Sequence, residues 1–557
     1  MQADTFTSEI IKDALVAVGD EMFIAMLRTS MSPIIYETTD FAVGATDAKG
    51  NLLAQGNGVT AFLATLDTAV QSTLEHYPDS GDIQPGDVFI TNTPYEGGGT
   101  HLSDVVIVLP VFHDDVLIAF TVNKAHWTEV GGACPGSVST EATEIFQEGL
   151  HFKFLKICEA GRLNQALVDM IRANVRLPDS TIGDMHAGIA ATRVGGGRII
   201  ELVEKYGRDT VLAAMEELLD YGDRMTRAEL AKLPNGVFEA EDIVEDDGLG
   251  NGPFRIKVKV TITDDKMIAD FSGTAAQAPG PINCSYTGLV TGARCIFKAV
   301  TNPEIPANGG CFRALEVHCP DGTLLTATSP APVSLYYEPL IAAIDVMWKA
   351  LAPVLPDRLP AGHQRTVGAT FLSGIHPDTD NLFVFGEPLV GGWGASRDMD
   401  GDGGQFCCGN GETFNVPVEL FEARYGLQVD QYAFHTEDGG AGEFRGGRGV
   451  TLDYRILGEE VFLTYAASRT DSKPWSLAEG KEGSTNYALI IRSDGTEERH
   501  HMCTMVRAGK GDVIRVVSAA GGGFGNAANR PRARVEQDLK NGYITLAQAR
   551  REYGYSC

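Results

Sequence analysis

The sequence predicts a mixed α/β fold of the α+β class that is divided into several domains. The chain has 557 residues, and at roughly 150 residues per domain this length corresponds to about three or four domains. Near the N terminus, apolar residues recur three and four positions apart, which is typical of an amphipathic helix. Further along, short β-rich runs alternate with turns and with other helical stretches, which indicates a chain that mixes both types of structure.

An N-terminal helix and two β-hairpins are the first predicted elements. The helix covers residues 5–31, and one face of it carries Ile10, Ile11, Leu15, Val18, Met22, Met26 and Leu27. The next elements are a hairpin over 41–55, a helix over 61–77, and β-rich runs over 88–92, 104–112 and 115–123. A short turn joins the last two runs, so we expect them to pair as a second hairpin. Helical segments follow over 163–175 and 184–232, and Gly195–Gly197 predicts a break in the latter.

Two changes in the pattern suggest domain boundaries. The turn Leu233–Gly236 closes an N-terminal α/β domain, residues 1–234, that carries the candidate site described below. A middle α/β domain, 235–360, is predicted to hold strands over 237–244, 254–262 and 267–271 and helices over 285–301 and 335–352. The remainder, 361–557, is rich in glycine and short β-like runs. It predicts a β-dominated C-terminal domain that ends in helices over 533–541 and 545–553.

The chain is strongly acidic. It carries 45 Lys and Arg against 74 Asp and Glu, a net charge of −29. Such a surface repels phosphate backbones and anionic lipid headgroups, so nucleic acid and membrane surfaces are not expected as partners. The start has neither the basic nor the apolar region of a secretory signal, and the longest apolar run is far shorter than the ~20 residues of a membrane helix. Ten scattered cysteines without a CxxC motif favour reduced thiols, and we expect a cytoplasmic protein.

A candidate metal site is formed by Asp40, His101, Asp104 and His126. His101 and Asp104 follow a glycine triplet, His126 ends the third β-rich run, and Asp40 stands at the mouth of the first hairpin. Because a hairpin brings its two ends together, His101 and Asp104 should meet His126 at one end of the sheet. Two imidazoles and two carboxylates suit a divalent metal of borderline hardness. The residue types alone leave two alternatives open, namely a buried histidine satisfied by hydrogen bonds and polar capping of the glycine loop.

Nearly end to end, the chain resembles the hydantoinase B/oxoprolinase family. The segments that carry the resemblance include DAKGNLLAQ (47–55), GDVFITNTPYEGGGTHLSDV (86–105), HWTEVGG (126–132), APGPINCSYTG (278–288) and GGGFGNAANR (521–530). The resemblance implies that Asp40, His101, Asp104 and His126 bind one divalent metal, which would be Zn, Mn or Fe. It also suggests Glu37 or Glu129 as a residue that orients a metal ligand or moves a proton without binding the metal itself.

The resemblance further implies a hetero-oligomer with a hydantoinase A-type subunit that binds ATP and Mg²⁺. The sequence has no Walker A motif, which is consistent with an ATP site on that partner. The partner would phosphorylate the amide or enol oxygen of a small-molecule substrate, and this chain would complete the reaction. This favours the metal-bearing B subunit of an ATP-dependent ring-opening amidohydrolase that acts on hydantoin, N-methylhydantoin, 5-oxoproline or another lactam.

Two other functions stay open on the sequence. A subunit of an ATP-dependent ketone carboxylase, of the acetone or acetophenone type, would join an activated enol to bicarbonate at the same metal. A non-catalytic scaffold subunit would shape the site of its partner and bind no metal. Among the three functions, only that of a scaffold predicts that activity would survive the replacement of His101 by alanine.

Overall fold

The computed structural model describes residues 5–63, 65–79 and 81–556. Within these ranges the chain is a mixture of helices and strands that form four β-sheets, which confirms the predicted fold class. Across the same ranges, the helices do not reach the combination of length and hydrophobicity that crossing a bilayer requires. The nine cysteines in the described ranges are unpaired, and Cys557 lies outside them.

The part of the chain before residue 234 forms one antiparallel sheet with helices packed on it. Its helices are α1 (Thr5–Thr29), α2 (Pro33–Tyr36), α3 (Thr60–Leu63), α4 (Leu66–His76), α5 (Gln165–Asn174), α6 (Pro178–Tyr206) and α7 (Arg208–Leu230). Its strands are β1 (Phe41–Asp47), β2 (Leu52–Gln55), β3 (Val88–Thr91), β4 (Asp104–His113), β5 (Val116–His126), β6 (Leu155–Glu159) and β7 (Arg162–Leu163). The strand order is β2-β1-β5-β4-β3-β6-β7.

Strands β4 and β5 pair as the predicted hairpin, with Asp104 opposite His126. Both strands are buried along most of their length, because α6 packs against them on one side and α4 also contacts them. Strand β1 pairs with the other edge of β5 and places Phe41 opposite Ala125. The start of β1, the end of β5 and the start of β4 therefore lie side by side at one end of the sheet.

The expected break at Gly195–Gly197 is wrong. Helix α6 runs through these glycines and ends at Tyr206, before Gly207 with its φ of 85°. Gly195 serves close packing instead, since a Cβ at this position would lie 2.2 Å from the sulfur of Met22 in α1. Without side chains at this point the helix approaches both α1 and the sheet more closely than other residues allow.

The middle part of the chain forms a second sheet. Its elements are β8 (Gly236–Val244), β9 (Phe254–Ile262), β10 (Met267–Asp270), α8 (Tyr286–Val300), β11 (Leu315–His318) and α9 (Tyr337–Leu351). The order is β11-β10-β9-β8, with β10 and β11 parallel. Burial alternates along β9, as expected when only one face of a sheet is covered. Helix α9, nearly all of whose residues are buried, packs against β8 and β9.

The last part of the chain contains two further sheets. Its helices are α10 (Val418–Tyr425), α11 (Arg532–Lys540) and α12 (Leu546–Tyr553). Its strands are β12 (Ala369–Ile375), β13 (Leu382–Glu387), β14 (Leu427–Phe434), β15 (Val450–Ile456), β16 (Glu460–Ala466), β17 (Tyr487–Ile491), β18 (Glu497–His500), β19 (Met502–Gly509) and β20 (Val513–Val517). The two orders are β13-β12-β16-β19 and β14-β15-β20-β17-β18.

The two largest hydrophobic cores among the described residues hold these parts together. One extends from Ile11 to Trp475 and contains side chains from all three sequence ranges that we expected to be domains. The other contains side chains from both C-terminal sheets, such as Leu372 in β12 and Val516 in β20. Each predicted range holds whole sheets, but the large core crosses residues 234 and 360, so those boundaries stay a prediction.

Candidate metal centre

Three side chains converge at the end of the first sheet. His101 Nε2 lies 2.9 Å from Asp104 Oδ1 and 3.2 Å from His126 Nδ1, and Asp104 Oδ1 lies 3.3 Å from that same His126 nitrogen. All three residues are buried. We call them the triad. The structure thus brings together the loop residue His101 and two strand ends, Asp104 and His126, as the hairpin argument predicted.

The spacing of the triad atoms fits the coordination sphere of one metal ion. Two ligand atoms that each lie about 2.1 Å from a metal are roughly 3.0 Å apart at an octahedral angle and roughly 3.4 Å apart at a tetrahedral angle. The observed separations of 2.9, 3.2 and 3.3 Å match this interval. Two imidazole nitrogens and one carboxylate oxygen suit zinc, manganese or iron(II), so the donor set fits the group that the sequence suggested.

The position of one hydrogen on the His101 ring follows from a hydrogen bond to Ser334. His101 Nδ1 lies 2.9 Å from the carbonyl oxygen of Ser334. A carbonyl can only accept, so Nδ1 carries the hydrogen and Nε2 of the neutral ring presents its lone pair. That lone pair faces a carboxylate oxygen of Asp104, whose pKa is raised by burial but held well below its usual value by His101 and His126. A proton or a divalent cation placed between these atoms would be attracted to both the carboxylate and the lone pair.

Glu148 holds the backbone that orients His101. One of its carboxylate oxygens accepts hydrogen bonds from the backbone N–H groups of Val333, at 2.8 Å, and of Ser334, at 2.7 Å. Burial raises the pKa of Glu148 to about 8. In metal sites, a partner on the far nitrogen fixes the tautomer and direction of a histidine ligand. Here that partner is the Ser334 carbonyl. Glu148, which is 186 residues from Ser334 in the sequence, holds it in place by binding the adjacent backbone.

Replacing Glu148 with alanine is expected to lower metal affinity about 10- to 100-fold, the effect typical of groups that support a ligand. The two backbone N–H groups would lose their acceptor, and the Ser334 carbonyl would no longer be fixed beneath His101. Glu148→Gln is the matched control, because the carboxamide oxygen can still accept both hydrogen bonds. Competition with a chromophoric chelator measures the affinities. Wild-type affinity in Glu148→Ala would show that Ser334 is held by other contacts.

The second oxygen of Asp104 is engaged by a buried chain of polar groups. It accepts a hydrogen bond from the hydroxyl of Thr100, which in turn accepts one from Lys124 Nζ at 2.8 Å. Lys124 is fully buried. Burial lowers its pKa to about 8, although Asp104 and Asp40 favour the charged form. These hydrogen bonds engage only one oxygen of Asp104, so the other oxygen faces His101 and His126. Sequence reasoning missed Lys124, whose position within an apolar strand was the available signal.

A cavity opens beside the triad. We call it the triad cavity. The centre of a water molecule can be placed anywhere within a volume of about 70 Å³ inside this cavity. Its apolar wall consists of Ile34, Val59, Ala61, Phe62, Leu340, Ile341, Val367, Ala369, Phe371 and Pro388. Its polar lining consists of the triad, Asp40, Tyr336, Tyr337, Glu387 and Asn410. The triad is therefore placed where a small molecule can reach it.

Asp40 lines this cavity next to the triad but is not one of the converging groups. Its backbone carbonyl accepts a hydrogen bond from the backbone N–H of His126 at 3.0 Å, which ties the start of β1 to the end of β5. Burial raises the pKa of its carboxyl group to about 6, against the opposing effect of His126. Asp40, the fourth predicted ligand, thus lines the same cavity as the triad. Its carboxylate does not belong to the group of ligand atoms that lie within 4.8 Å of one another, which among the described residues come from the triad alone.

Glu37 and Glu129 are not brought to the triad, and neither is among the described residues that line the cavity. Glu37 follows α2, and its backbone N–H donates to the Pro33 carbonyl. The buried carboxylate of Glu129 accepts from the backbone N–H of Gly131 at 2.7 Å and from Arg176 at 2.9 Å. These contacts show that Glu129 holds the loop after His126.

The chain is similar to several known proteins over its whole length. The family model described as Hydantoinase B/oxoprolinase matches residues 4–527. The B subunit of a putative D-/L-hydantoinase from Pseudomonas sp. strain NS671 is 32% identical over 569 residues, which cover 99% of this chain and 95% of that protein. The beta subunit of caprolactamase from Pseudomonas jessenii is 30% identical over 564 residues, which cover 99% of this chain and 96% of that protein.

Solved structures show the same architecture. The ATP-dependent caprolactamase from Pseudomonas jessenii superposes with a TM-score of 0.93 at 29% identity, over 100% of this chain and 97% of that one. A nucleotide-free acetone carboxylase superposes with a TM-score of 0.92 over 99% of this chain and 79% of that one, but at 18% identity this likeness shows the fold alone. The match over residues 4–527 confirms the resemblance that the motifs indicated, and the chain belongs to the hydantoinase B/oxoprolinase family.

Proposed function

We propose that this chain is the metal-bearing B subunit of an ATP-dependent ring-opening amidohydrolase for hydantoins or related lactams. The observation that carries the proposal is the convergence of His101, Asp104 and His126 within metal-coordination distances beside a small apolar cavity. The relatives named as the B subunit of a hydantoinase and the beta subunit of a caprolactamase support the reaction class. A cyclic amide is a compact ring that presents polar groups at its edge, and a cavity with apolar walls and a few convergent polar groups can accept such a molecule.

The reaction divides between two subunits. The ATP-binding A-type partner transfers the γ-phosphoryl group of ATP to the amide oxygen and releases ADP, which weakens the amide resonance. One water then adds to the activated carbon and the ring C–N bond breaks, so that the nitrogen leaves with a proton as an amine and an acyl phosphate remains. A second water converts the acyl phosphate into a carboxylate and phosphate. The sum is one lactam, one ATP and two waters to one amino acid, ADP and phosphate.

The residues of this chain orient and polarise the reacting amide. His101, Asp104 and His126 would hold the metal, and we propose Asp40 as a fourth donor from the same cavity. A divalent metal held there would supply a Lewis acid for the oxygen of the substrate. His126 Nε2 is buried without a hydrogen-bond partner among the described residues. With Nδ1 turned toward the triad, this nitrogen carries the hydrogen and can donate it to a bound substrate.

Ring opening by the two-subunit complex tests the proposal. The chain is co-expressed with an ATP-binding A-type chain from the same organism, and hydantoin, ε-caprolactam and 5-oxoproline are each supplied with ATP. Without added bicarbonate, we expect ATP-dependent release of an amino acid from each lactam or of an N-carbamoyl amino acid from hydantoin. We expect no product from the isolated chain.

Three results would contradict the proposal. Turnover of a ketone that requires bicarbonate, with every lactam inert, would assign the chain to the carboxylases. Full lactam hydrolysis by a complex that contains His101→Ala would show that this protein serves only as a scaffold. Hydrolysis by the isolated chain would remove the need for phosphoryl activation.

A further inference from the structure

A second cavity lies at one end of the five-stranded C-terminal sheet. It is enclosed by the loop before β15 (435–449), the loop before β17 (467–486) and the segment that contains α12. We call it the loop cavity. We propose that it binds a phosphate group, either as the free ion or as the ester of a small molecule. It shares no lining residue with the triad cavity, so this inference does not depend on the proposed function.

The register of the sheet brings the walls of the loop cavity together. Val517, the last residue of β20, pairs with Thr451 near the start of β15 and with Tyr487 at the start of β17. The two loops that enter β15 and β17 therefore meet the loop that leaves β20 at the same end of the sheet. The volume open to the centre of a water molecule in the cavity is about 300 Å³, so a small ion can enter.

Glycines let these three loops pack backbone against backbone. A Cβ on Gly483 would lie 1.9 Å from the carbonyl oxygen of Ala520, and a Cβ on Gly446 would lie 2.0 Å from that of Gly521. Residues with side chains do not fit at such distances, so the loops form one dense layer. The basic residues of this layer that line the loop cavity are Arg448, Lys473 and Lys481.

Arg448 is a buried cation without a carboxylate partner among the described residues. It is 4% exposed. Its Nη1 donates to the Glu437 carbonyl at 2.8 Å, whereas its Nε has no hydrogen-bond partner in the described part of the chain. Burial and the nearby Arg445 lower its pKa, whereas Tyr553 and Asp438 raise it. Since Tyr553 and Asp438 both line the loop cavity, the guanidinium lies close to the cavity wall.

An anion in the loop cavity would supply the charge that Arg448 lacks. Removing a guanidinium from water is unfavourable unless an anion and hydrogen-bond acceptors replace the lost hydration. The unpartnered Nε shows that the protein groups around Arg448 satisfy the guanidinium only in part. A ligand with several acceptor oxygens would complete these hydrogen bonds and balance the charge at the same time.

The other charges of the loop cavity leave room for such an anion. Arg551 is bound to two acids, Asp438 at 2.6 Å and Glu552 at 2.7 Å. Apart from this group, the lining contains three cations and a single acid, Glu482. The described lining thus holds four cations against three acids, although the net charge of the whole chain is −29. The excess of positive charge lies with Arg448 and the two lysines.

A phosphate group suits three separate cations better than a carboxylate does. At neutral pH it carries a charge of about −1.5 to −2 and offers three strong acceptor oxygens. One guanidinium can bind two of these oxygens, which leaves charge and an oxygen for lysine ammonium groups. A carboxylate has one charge and two oxygens, which a single arginine satisfies in the bidentate arrangement.

Calorimetry with inorganic phosphate tests the proposal on the metal-loaded full chain. We expect one phosphate per chain at saturation, and we expect sulfate to compete with it because the two ions share shape and charge. Acetate should bind at least tenfold more weakly. Glycerol 3-phosphate distinguishes the two sources of the phosphate group, because it should bind more tightly than the free ion only if the loop cavity holds an ester.

Substitutions assign the binding to the loop cavity. Arg448→Met should weaken phosphate binding at least tenfold, and circular dichroism shows whether this buried substitution preserves the fold. Lys473→Ala combined with Lys481→Ala is a second test that leaves the interior intact, since both lysines are exposed. We expect this double variant to weaken binding about tenfold. Lys49→Ala is the matched control, because Lys49 is an exposed lysine that does not line the cavity.

The triad must be tested as an alternative site, because a metal held there can also bind phosphate. His101→Ala changes the triad but not the loop cavity, so it should bind phosphate as the wild type does. Loss of binding in this variant would assign the phosphate to the metal and overturn the proposal. Absence of saturable binding to the wild type would also overturn it, as would acetate that binds as tightly as phosphate. Unchanged affinity in the double lysine variant, or in a folded Arg448→Met, would place the anion outside the loop cavity.

Discussion

His101→Ala will leave the chain unable to retain a divalent metal. Elemental analysis of the wild type, purified without chelators, should give about one equivalent of zinc, manganese or iron per chain, and the variant should give close to none. The substitution removes one of three converging donors, the one whose lone pair is aligned by the Ser334 carbonyl at 2.9 Å. Because a metal that polarises a carbonyl contributes several kcal/mol to the transition state, ring opening by the complex should fall about a thousandfold or more.

The matched control is His186→Ala, which removes an exposed histidine of α6 that is not among the described residues lining the triad cavity. It should keep both the metal and the activity. Asp104→Ala should behave like His101→Ala, since it removes the only carboxylate of the triad. A full equivalent of metal in both triad variants would place the ion elsewhere, and a wild type without metal would favour the scaffold function.

The triad was predictable because its geometry is local to one hairpin. Asp104 and His126 pair across β4 and β5, so the prediction required only that two β-rich runs be joined by a short turn. The supporting groups were not predictable in this way. Ser334 lies 233 residues from His101, and Phe371 lines the cavity from a different sheet. No spacing within the sequence relates such residues, because only tertiary packing brings them together.

The same limit applies to the fold. Long amphipathic helices and alternating strands such as β9 follow from side-chain periodicity, and their observed bounds lie close to the predicted ones. The glycine triplet in α6 misled because glycine serves two purposes, turns and close packing, and only the neighbouring Met22 distinguishes them. The order of the C-terminal strands depends on long-range pairs, such as β15 with β20, that periodicity does not encode.

A buried charge cluster joins the middle of the chain to its C-terminal part. It consists of Arg365, Arg469, Asp242 and Asp345. Arg469 donates to Asp242 and to Asp345 at 2.8 Å each, while Arg365 Nη1 lies 3.4 Å from Asp242. Burial raises the pKa of Asp242, but the two arginines hold it below its usual value. Glu245, 3.3 Å from Arg365, and Lys349, 3.4 Å from Asp242, extend the cluster, so that three cations face three anions.

Arg469→Met should lower the free energy of unfolding by about 3–5 kcal/mol, the range expected when one partner of a buried ion pair is removed. Methionine keeps much of the side-chain volume, so the loss would arise from Asp345 and Asp242, which would stay buried with too little positive charge. Tryptophan fluorescence in urea reports this region, because Trp475 donates to Asp345 at 3.1 Å and the ring of Trp348 lies 5.6 Å from that of Trp393 and 6.2 Å from that of Trp475.

Arg507→Met is the matched control. Arg507 binds Glu460 at 2.7 Å, a distance as short as those in the cluster, but its side chain is 68% exposed. Exposed pairs contribute about 0–1 kcal/mol, so this variant should unfold almost as the wild type does. If Arg469→Met also loses less than about 1 kcal/mol, water must reach the two aspartates. If the loss is large, adding Asp345→Asn to Arg469→Met should restore part of it, because the double variant removes the charge that was left buried without a partner.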